Sequence, residues 1–284
     1  MTATIRWDFL EFQVAGRTQF VRSKTIHQFI KPILNLQGEE HILDVGCGIG
    51  AFGKMIQPYL GPKAELIGID IDPVQVEYGN QHWAKAPNMH LEVGDATAIR
   101  YPDASFDLVA SMGLLEFVDA KRVLPEMRRV LRCPGKLIVV QIDIAHYINR
   151  PQDASFEAFW GAYLEGMQRL GVDLELNTFK TYCRAQNWVL EEFTLTIEYR
   201  VKITGQFIKM VENGRGEHSR DEDFKRQQFE FNYQFVKHAG WSADQLWDFL
   251  NRQYAPETFF NFLEAHLGED FYQQTPFRVY RIPF

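Results

Sequence analysis

The segment from Ile42 to Gly53, ILDVGCGIGAFG, constrains the fold of this chain more strongly than any other stretch. A short apolar run is followed by closely spaced glycines and then by the start of a helical pattern, so the segment predicts a strand–turn–helix unit. Gly48, Gly50 and Gly53 have the G-x-G-x-x-G spacing of a dinucleotide-binding turn. A unit of this kind directs backbone N–H groups and the positive end of a helix toward a ligand. The same glycines also suit a plain tight turn, so the motif alone does not identify a ligand.

Apolar runs alternate with helical patterns through the first half of the chain. Five runs have the length and composition of buried strands: HILDVG (41–46), AELIGID (64–70), MHLEVGD (89–95), FDLVASMG (106–113) and KLIVVQID (136–143). The helical patterns between them predict crossovers on both faces of a mostly parallel sheet. A further candidate strand, FRVYRIPF, lies at 277–284. The expected fold class is therefore α/β.

The net charge and the cysteine content argue against several classes of function. The net charge is −7 at pH 7, and an acidic surface does not attract nucleic acid or an anionic membrane. No apolar stretch approaches the length of a membrane span. The three cysteines are widely separated and form no C-x-x-C pair, so neither a zinc site nor a disulfide framework is indicated. We expect a cytoplasmic protein that acts on a small molecule, with no metal, nucleic acid or membrane as partner.

Three aspartates stand at the ends of successive candidate strands, where open α/β sheets bind ligands. Asp44 comes just before the first glycine, and a carboxylate there repels a pyrophosphate but favours an ammonium or a sulfonium. Asp70 ends the second strand, where a carboxylate can accept both ribose hydroxyl protons. Asp72 competes for that role, although capping of the next helix explains it better. Asp95, with the amide of Ala96, can read the edge of an adenine through one acceptor and one donor.

Five segments, taken in order and with their spacing, carry a resemblance to a known family. They are LDVGCGIG (43–50), GIDIDP (68–73), VGDA (93–96), FDLVASMGLLEFV (106–118) and RVLRCPGKLIVV (129–140). The chain resembles the class I S-adenosylmethionine-dependent methyltransferases over about residues 38–142, and more faintly over 178–199. The resemblance implies a Rossmann-like, seven-stranded, mostly parallel sheet with helices on both faces and an antiparallel last strand.

The same resemblance implies S-adenosylmethionine as the cofactor and a set of residues that hold it. The methionine portion would lie against Asp44 and the glycine loop, the ribose at Asp70, and the adenine between the ends of the second and third strands. The implied cofactor-binding residues are Asp44, Gly46, Gly48, Gly50, Asp70, Ile71, Asp95, Ala96, Ser111, Met112 and Gly113. The last three would lie near the sulfur of the cofactor. Gly53 is expected to let the following helix pack close to the sheet.

After the fifth strand the regular alternation of short strands and helices gives way to longer helical patterns. This change predicts two insertions into the core. The expected segments are an N-terminal helical segment (1–37), a cofactor-binding core (38–150), a helical insertion that forms a lid (151–177), a core continuation with a helix and a sixth strand (178–204), a second, aromatic-rich helical insertion that completes the lid (205–274) and the last strand (275–284). One amphipathic helix is expected over 18–36. The stretch FEFNYQF (229–235) suits either a partly buried strand or a helix packed on several faces.

Candidate acceptor residues follow the fifth strand, since that loop faces the cofactor in such a fold. Asp143, His146 and Tyr147 are the predicted catalytic residues, and Gln141 is a further candidate. His146 is the best base by its intrinsic pKa. Many small-molecule members of the family have Glu-His after the fourth strand, whereas here Glu116 precedes a phenylalanine and that possible base is missing.

Other side chains have both a functional and a plain interpretation. Trp160 and Tyr163 suit either a lid or ordinary packing. Arg17 and Arg22 suit either a partner for a cofactor or substrate carboxylate or a solvated surface.

The function expected from these patterns is transfer of a methyl group from S-adenosylmethionine to an O or N atom of a small molecule. Three alternatives remain open from the residues. The first is transfer or cyclisation of the aminocarboxypropyl arm with release of methylthioadenosine, the second an NAD(P)-dependent oxidoreductase, and the third a cofactor-binding module without turnover. A monomer and a homodimer are both compatible with the aromatic-rich second insertion.

Overall fold

The computed structural model describes residues 5–7, 9–151, 154–209, 222–254 and 262–284. These residues fall into two compact units. The sheet unit comprises Gln13–Asp143, Asp173–Leu195 and Pro276–Phe284, and the helical unit comprises the other described residues.

The sheet unit is built on a mostly parallel sheet. The strands of the described chain are β1 His41–Val45, β2 Glu65–Asp70, β3 Met89–Val93, β4 Phe106–Met112, β5 Leu131–Ile142, β6 Ile148–Arg150, β7 Glu191–Lys202 and β8 Asp270–Pro283. Their order in the sheet unit is β3-β2-β1-β4-β5-β8, and β7 pairs with β8. The first five strands are parallel, and β8 runs antiparallel to β5, with Val140 opposite Val279. The predicted Rossmann-like sheet with an antiparallel last strand is confirmed.

The strand order places β1 between β2 and β4, so the connections from β1 and from β3 leave in opposite directions. This reversal is a topological switch point, and a crevice for a ligand opens there at the carboxyl ends of the strands. The strands β1 and β4 are almost entirely buried, as expected for parallel strands covered on both faces.

The described residues contain nine α-helices with the following bounds. They are α1 Leu10–Arg22, α2 Lys24–Leu34, α3 Ala51–Ile56, α4 Pro73–His82, α5 Ala120–Val130, α6 Ala154–Arg169, α7 Asn177–Ala185, α8 Glu222–Val236 and α9 Ala243–Tyr254. Residues 205–209 and 262–265 are also helical.

The N-terminal region contains two helices, so the expectation of one helix over 18–36 was wrong. Ser23 has an extended backbone (φ −74°, ψ 105°), and its Oγ accepts a hydrogen bond from the N–H of Ile26 at 3.3 Å. A serine in this conformation satisfies a free N–H group at the start of the second helix, which favours a break at this point. The apolar periodicity continues across the break, and periodicity alone does not reveal it.

The helix after the glycine loop lies close to the sheet because of Gly53. A Cβ atom at this position would be 2.5 Å from Cε of Met89 and 3.0 Å from Cδ2 of Leu66. Such distances are shorter than real side chains permit, so glycine is required for the approach of α3 to β2 and β3. The role expected for Gly53 is confirmed.

The helical unit packs α6 against α8. A Cβ atom at Gly166 would lie 2.0 Å from the carbonyl oxygen of Phe235, and the ring of Tyr163 meets that of Phe235 edge-on at 5.1 Å. The FEFNYQF stretch lies within α8 and is helical. In the same unit β6 pairs antiparallel with the first part of β8, with Asn149 opposite Gln273. None of the helices in the described ranges is long and apolar enough to span a bilayer.

Candidate cofactor site

The glycine loop after β1 is tied to the end of β2. The N–H groups of Gly46 and Cys47 donate to the carbonyl oxygen of Ile69 at 2.8 and 3.0 Å. The N–H of Gly48 donates to Oδ2 of Asp70 at 2.7 Å. Residues that are far apart in the sequence thereby form one rim at the carboxyl edge of the sheet.

At two positions of the loop only glycine fits, because the backbone has a positive φ angle and a side chain would collide with a neighbour. Gly46 has φ +71°, and a Cβ atom there would be 2.8 Å from Cδ1 of Leu114. Gly48 has φ +53°, and a Cβ atom there would be 2.8 Å from Oε1 of Gln75, a buried residue of α4. A side chain at either position would be strained and would displace a neighbour. Gln75 was not predicted as part of this region, because only the folded chain brings α4 beside the loop.

Asp44 is the most unusual residue of the site. It is 0% exposed, and neither oxygen of its carboxyl group has a hydrogen-bond partner among the described residues. Burial, followed by the nearby charge of Asp70, raises its pKa to about 8, and the backbone N–H of Gly53 and the guanidinium of Arg17 oppose this rise. The N–H of Gly53 is close enough to act on the carboxyl group but does not complete a hydrogen bond to it. A buried carboxyl group without partners is costly, and such groups are normally paired. The position therefore calls for a cationic or hydrogen-bonding ligand.

Ser111 adds a second unsatisfied polar group close to the switch point. Its hydroxyl is buried and has no hydrogen-bond partner among the described residues. Asp44 lies opposite Ala110 in the β1–β4 pair, so Ser111 is one residue further toward the carboxyl edge of the sheet. Met112 is buried beside it, and Gly113 follows with φ +68°.

The side chains of Arg17 and Glu116 also lie at this edge. A Cβ atom at Gly113 would be 3.6 Å from Nη2 and 3.7 Å from Nη1 of Arg17, so the guanidinium lies beside the backbone that follows β4. Burial lowers the pKa of Arg17, and Glu116, Asp44 and Asp70 oppose that shift. Burial raises the pKa of Glu116 to about 7. Three carboxyl groups at this edge therefore act electrostatically on the guanidinium of Arg17.

Neither Arg17 nor Glu116 belonged to the predicted site. In the sequence, Arg17 suits either a partner for a carboxylate or a solvated surface position. Glu116 stands out only because a phenylalanine follows it in place of a histidine. The local sequence around a single arginine in an amphipathic helix does not show that the folded chain will bury it near carboxyl groups.

The ends of β2 and β3 lie side by side. The N–H of Gly94 donates to the carbonyl oxygen of Asp70 at 2.9 Å. The carboxylate of Asp70 accepts hydrogen bonds from Gly48 and Asp72, and burial raises its pKa against the effect of these bonds. Ile71, which follows, is 72% exposed. An exposed large apolar side chain next to a charged crevice is suited to the face of an aromatic ligand.

Asp95 has a fixed orientation at the end of β3. Its Oδ1 accepts hydrogen bonds from the N–H and Oγ1 of Thr97 at 2.7 and 2.8 Å, and these bonds lower its pKa. Ala96 follows it and is half-buried. The carboxylate is therefore ionised at neutral pH and held in place by a local turn.

The predicted catalytic residues are divided between the two units. Asp143 belongs to the sheet unit and is 2% exposed. Its Oδ2 accepts a hydrogen bond from Nε of Arg278 at 2.8 Å and forms an ion pair with Nη2 of the same residue at 2.7 Å. Gln141 is also buried there, and its Nε2 donates to the carbonyl oxygen of Leu174 at 2.7 Å. Both side chains have structural partners that sequence patterns did not predict.

His146 and Tyr147 belong to the helical unit, where they lie at the short turn before β6. His146 is exposed. Burial raises the pKa of Tyr147 to about 12, so the phenol is neutral at physiological pH and is a poor general base. Tyr147 contacts Phe156 and Trp160, with ring centroids 6.1 and 5.4 Å away. The indole N–H of Trp160 is buried without a hydrogen-bond partner among the described residues.

Comparison with known proteins identifies the domain. Residues 42–135 match a family model described as a methyltransferase domain. Demethylmenaquinone methyltransferase of Staphylococcus epidermidis is 32% identical over 121 residues, which are 42% of this chain and 50% of that protein. Sterol 4-C-methyltransferase strm-1 of Caenorhabditis elegans is 30% identical over 123 residues, 42% of this chain and 36% of that protein. The matched part of this chain thus spans half or less of the length of these two relatives.

A solved structure shows the same fold. Phosphoethanolamine N-methyltransferase 2 of Haemonchus contortus, in complex with phosphomonomethylethanolamine and S-adenosylhomocysteine, superposes with a TM-score of 0.51 at 14% identity. The superposition covers 97% of this chain and 59% of that chain.

The residues of the site fit the cofactor that this family uses. S-adenosylmethionine carries a sulfonium, an ammonium and a carboxylate, and it ends in an adenosine. The unpartnered carboxyl of Asp44, the unpartnered hydroxyl of Ser111 and the exposed Ile71 are groups that such a ligand can satisfy. Residues 42–135 are thus a methyltransferase domain, and the sheet topology and this site make that domain similar to those of the class I S-adenosylmethionine-dependent methyltransferases.

Proposed function

We propose that this protein is an S-adenosylmethionine-dependent methyltransferase that methylates an O or N atom of a small molecule. The observation that carries the proposal is Asp44, a fully buried carboxyl group without a hydrogen-bond partner among the described residues, at the switch point of the sheet. When bound, S-adenosylmethionine supplies a methyl group on a sulfonium, which is activated toward in-line displacement. The protein would contribute mainly by positioning and by excluding water.

Different residues of the site would bind different portions of the cofactor. Asp44 would face the cationic methionine portion, above the loop that contains Gly46 and Gly48. Asp70 would accept from the ribose hydroxyls, which its place at the end of β2 and its fixed hydrogen bonds support. Ile71 would pack on the adenine, and Asp95 would accept from its amino group.

The charge of the site favours this cofactor over a dinucleotide. A cationic ligand draws Asp44 into its ionised form and gains an ion pair with it, whereas a pyrophosphate would keep this buried carboxyl group protonated and gain no ion pair there. The comparisons give no support to transfer of the aminocarboxypropyl arm. A test for NADH binding distinguishes a dinucleotide site, and detection of methylthioadenosine distinguishes transfer of the aminocarboxypropyl arm.

The acceptor is proposed only at the level of a small molecule. The two relatives and the solved structure compared above are methyltransferases named for demethylmenaquinone, a sterol and phosphoethanolamine. Of the three predicted catalytic residues, Asp143 is engaged by Arg278 and Tyr147 has a high pKa. His146 therefore remains the strongest candidate for a base, if the acceptor arrives protonated.

Binding of the cofactor is the first test. We expect S-adenosylmethionine and S-adenosylhomocysteine to bind with micromolar affinity or tighter in titration calorimetry, and NADH not to bind under the same conditions. Incubation with S-adenosylmethionine and a panel of small acceptors should yield a methylated product and S-adenosylhomocysteine, both identified by mass spectrometry. Methylthioadenosine as the main product, or no binding of either sulfur compound, would contradict the proposal.

The affinity should also depend on pH. In the free protein the pKa of Asp44 is about 8 and that of Glu116 about 7. The ammonium group of S-adenosylhomocysteine favours the ionised carboxylates, so binding lowers both pKa values and releases protons. We expect S-adenosylhomocysteine to bind roughly 10- to 100-fold more tightly at pH 8 than at pH 6. Calorimetry in buffers with different ionisation enthalpies measures the released protons, and equal affinity at both pH values without proton release would contradict the assignment.

A further inference from the structure

Arg17 places a cationic group in the proposed cofactor site, and no motif in the sequence accounts for it. Arg17 lies in α1, and its guanidinium is 3.6 and 3.7 Å, measured from Nη2 and Nη1, from where a Cβ atom of Gly113 would be. The backbone at Gly113 follows β4, so the guanidinium lies at the carboxyl edge of the sheet. Among the described residues it forms no ion pair.

The charged side chains at this edge are complementary to the charges of the methionine portion of S-adenosylmethionine. The carboxyl groups that act on its pKa are those of Glu116, Asp44 and Asp70. Three carboxyls and one guanidinium give the edge a net negative charge when all are ionised. The methionine portion of S-adenosylmethionine carries two cations and one carboxylate, so its cations complement the acids and its carboxylate requires a positive partner.

A guanidinium suits that carboxylate better than any other side chain. It presents five N–H donors in a planar fork and can bind both oxygens of a carboxylate at once. A partly buried position strengthens such a pair, because water screens it less than at the surface. We propose, on the basis of the proposed function, that Arg17 binds the carboxylate of the methionine portion and makes the site select ligands that carry it.

A competing role for Arg17 is purely structural. It could act only as a counter-charge that keeps Asp44 and Glu116 tolerable in a buried position. In that case its removal would weaken binding of every ligand of the site to the same extent. Binding to the carboxylate, by contrast, predicts a loss that is confined to ligands with a carboxylate.

The experiment compares two ligands that differ only in this group. They are S-adenosylhomocysteine and its decarboxylated analogue, in which the amine remains and the carboxylate is absent. We expect the unaltered protein to bind S-adenosylhomocysteine about 100-fold more tightly than the analogue in titration calorimetry. In Arg17→Gln this preference should fall to about 3-fold or less, with little change in the affinity for the analogue.

Two further variants complete the design. Arg22→Gln is the matched control, because Arg22 is an exposed arginine in the last turn of the same helix, and it should keep the full preference. Arg17→Lys keeps the charge without the fork and should keep an intermediate preference. Thermal melts of all variants establish that each is folded.

The outcomes separate the inference from the proposed function. An unaltered protein that binds neither ligand overturns the proposed function and this inference with it. An unaltered protein that binds both ligands equally overturns the inference alone. The same conclusion follows if Arg17→Gln keeps the preference, or if it loses affinity for both ligands to the same extent.

Discussion

Asp44→Asn is expected to lower the affinity for S-adenosylhomocysteine about 100-fold or more while making the ligand-free protein more stable. The carboxyl group is buried without a partner, and burial raises its pKa to about 8. The loss of affinity follows because an amide cannot supply the negative charge that pairs with the ammonium group of the ligand. Titration calorimetry at pH 8.5, where Asp44 is mostly ionised, measures this effect.

The gain in stability has a definite pH dependence. The ordinary pKa of an aspartate is 3.8, so the folded protein binds a proton at Asp44 that the unfolded chain has lost between pH 3.8 and about 8. Stability contributed by the neutral carboxyl is complete below the lower value and is lost as pH rises through the upper one. The amide of the variant is neutral throughout, so its advantage should grow with pH and reach a few kcal/mol above pH 8. Urea unfolding at several pH values measures the free energy of unfolding.

A surface aspartate provides the control for Asp44. Asp103 forms an ion pair with Arg129 at 2.8 Å, and its side chain is 78% exposed. Asp103→Asn should change neither the affinity nor the shape of the pH profile, since exposed ion pairs contribute little. Wild-type affinity in Asp44→Asn would show that the cationic portion of the ligand binds elsewhere.

Asp70→Ala is expected to reduce the affinity for S-adenosylhomocysteine by about 100-fold, through two effects. The first is loss of the acceptor for the ribose hydroxyls. The second is that the N–H groups of Gly48 and Asp72, which donate to this carboxylate at 2.7 and 3.0 Å, lose their partner. The free energy of unfolding should therefore also fall, by about 1–3 kcal/mol. Calorimetry and urea unfolding measure the two quantities on the same sample.

A deoxy ligand separates the two effects. The 2′-deoxy form of S-adenosylhomocysteine should bind less tightly than the parent to the unaltered protein and equally tightly to Asp70→Ala. Asp72→Ala is the matched control, because Asp72 caps α4 by accepting from the N–H of Val74 at 2.9 Å. That variant should lose about 1 kcal/mol of stability and still distinguish the two ligands. If Asp72→Ala loses the distinction and Asp70→Ala keeps it, the ribose is bound by Asp72.

Much of the sheet and the positions of its acidic residues could be predicted from the sequence. Buried parallel strands are short apolar runs, and the crossovers between them have helical periodicity, so β1 to β5 are visible in local patterns. Because the carboxyl ends of parallel strands meet at one edge, Asp44, Asp70 and Asp95 were expected there. The structure places Asp44 one residue before the end of β1, Asp70 at the end of β2 and Asp95 two residues after β3. The break at Ser23 was not predicted, since a local cap interrupts a helix without interrupting its periodicity. The short strand β6 was not predicted either.

The environment of those acids was decided by the tertiary structure alone. Arg17 approaches Gly113 from 96 positions earlier in the chain, and Asp143 meets Arg278 across 135. No local pattern encodes such a pairing, because it depends on how distant elements pack. The same is true of the burial of Asp44, which turns an ordinary acid into an unsatisfied one with a pKa of about 8. The sequence by itself determined which residues stand at the carboxyl edge of the sheet, and the packing of the folded chain decided which of them are charged, paired or open to a ligand.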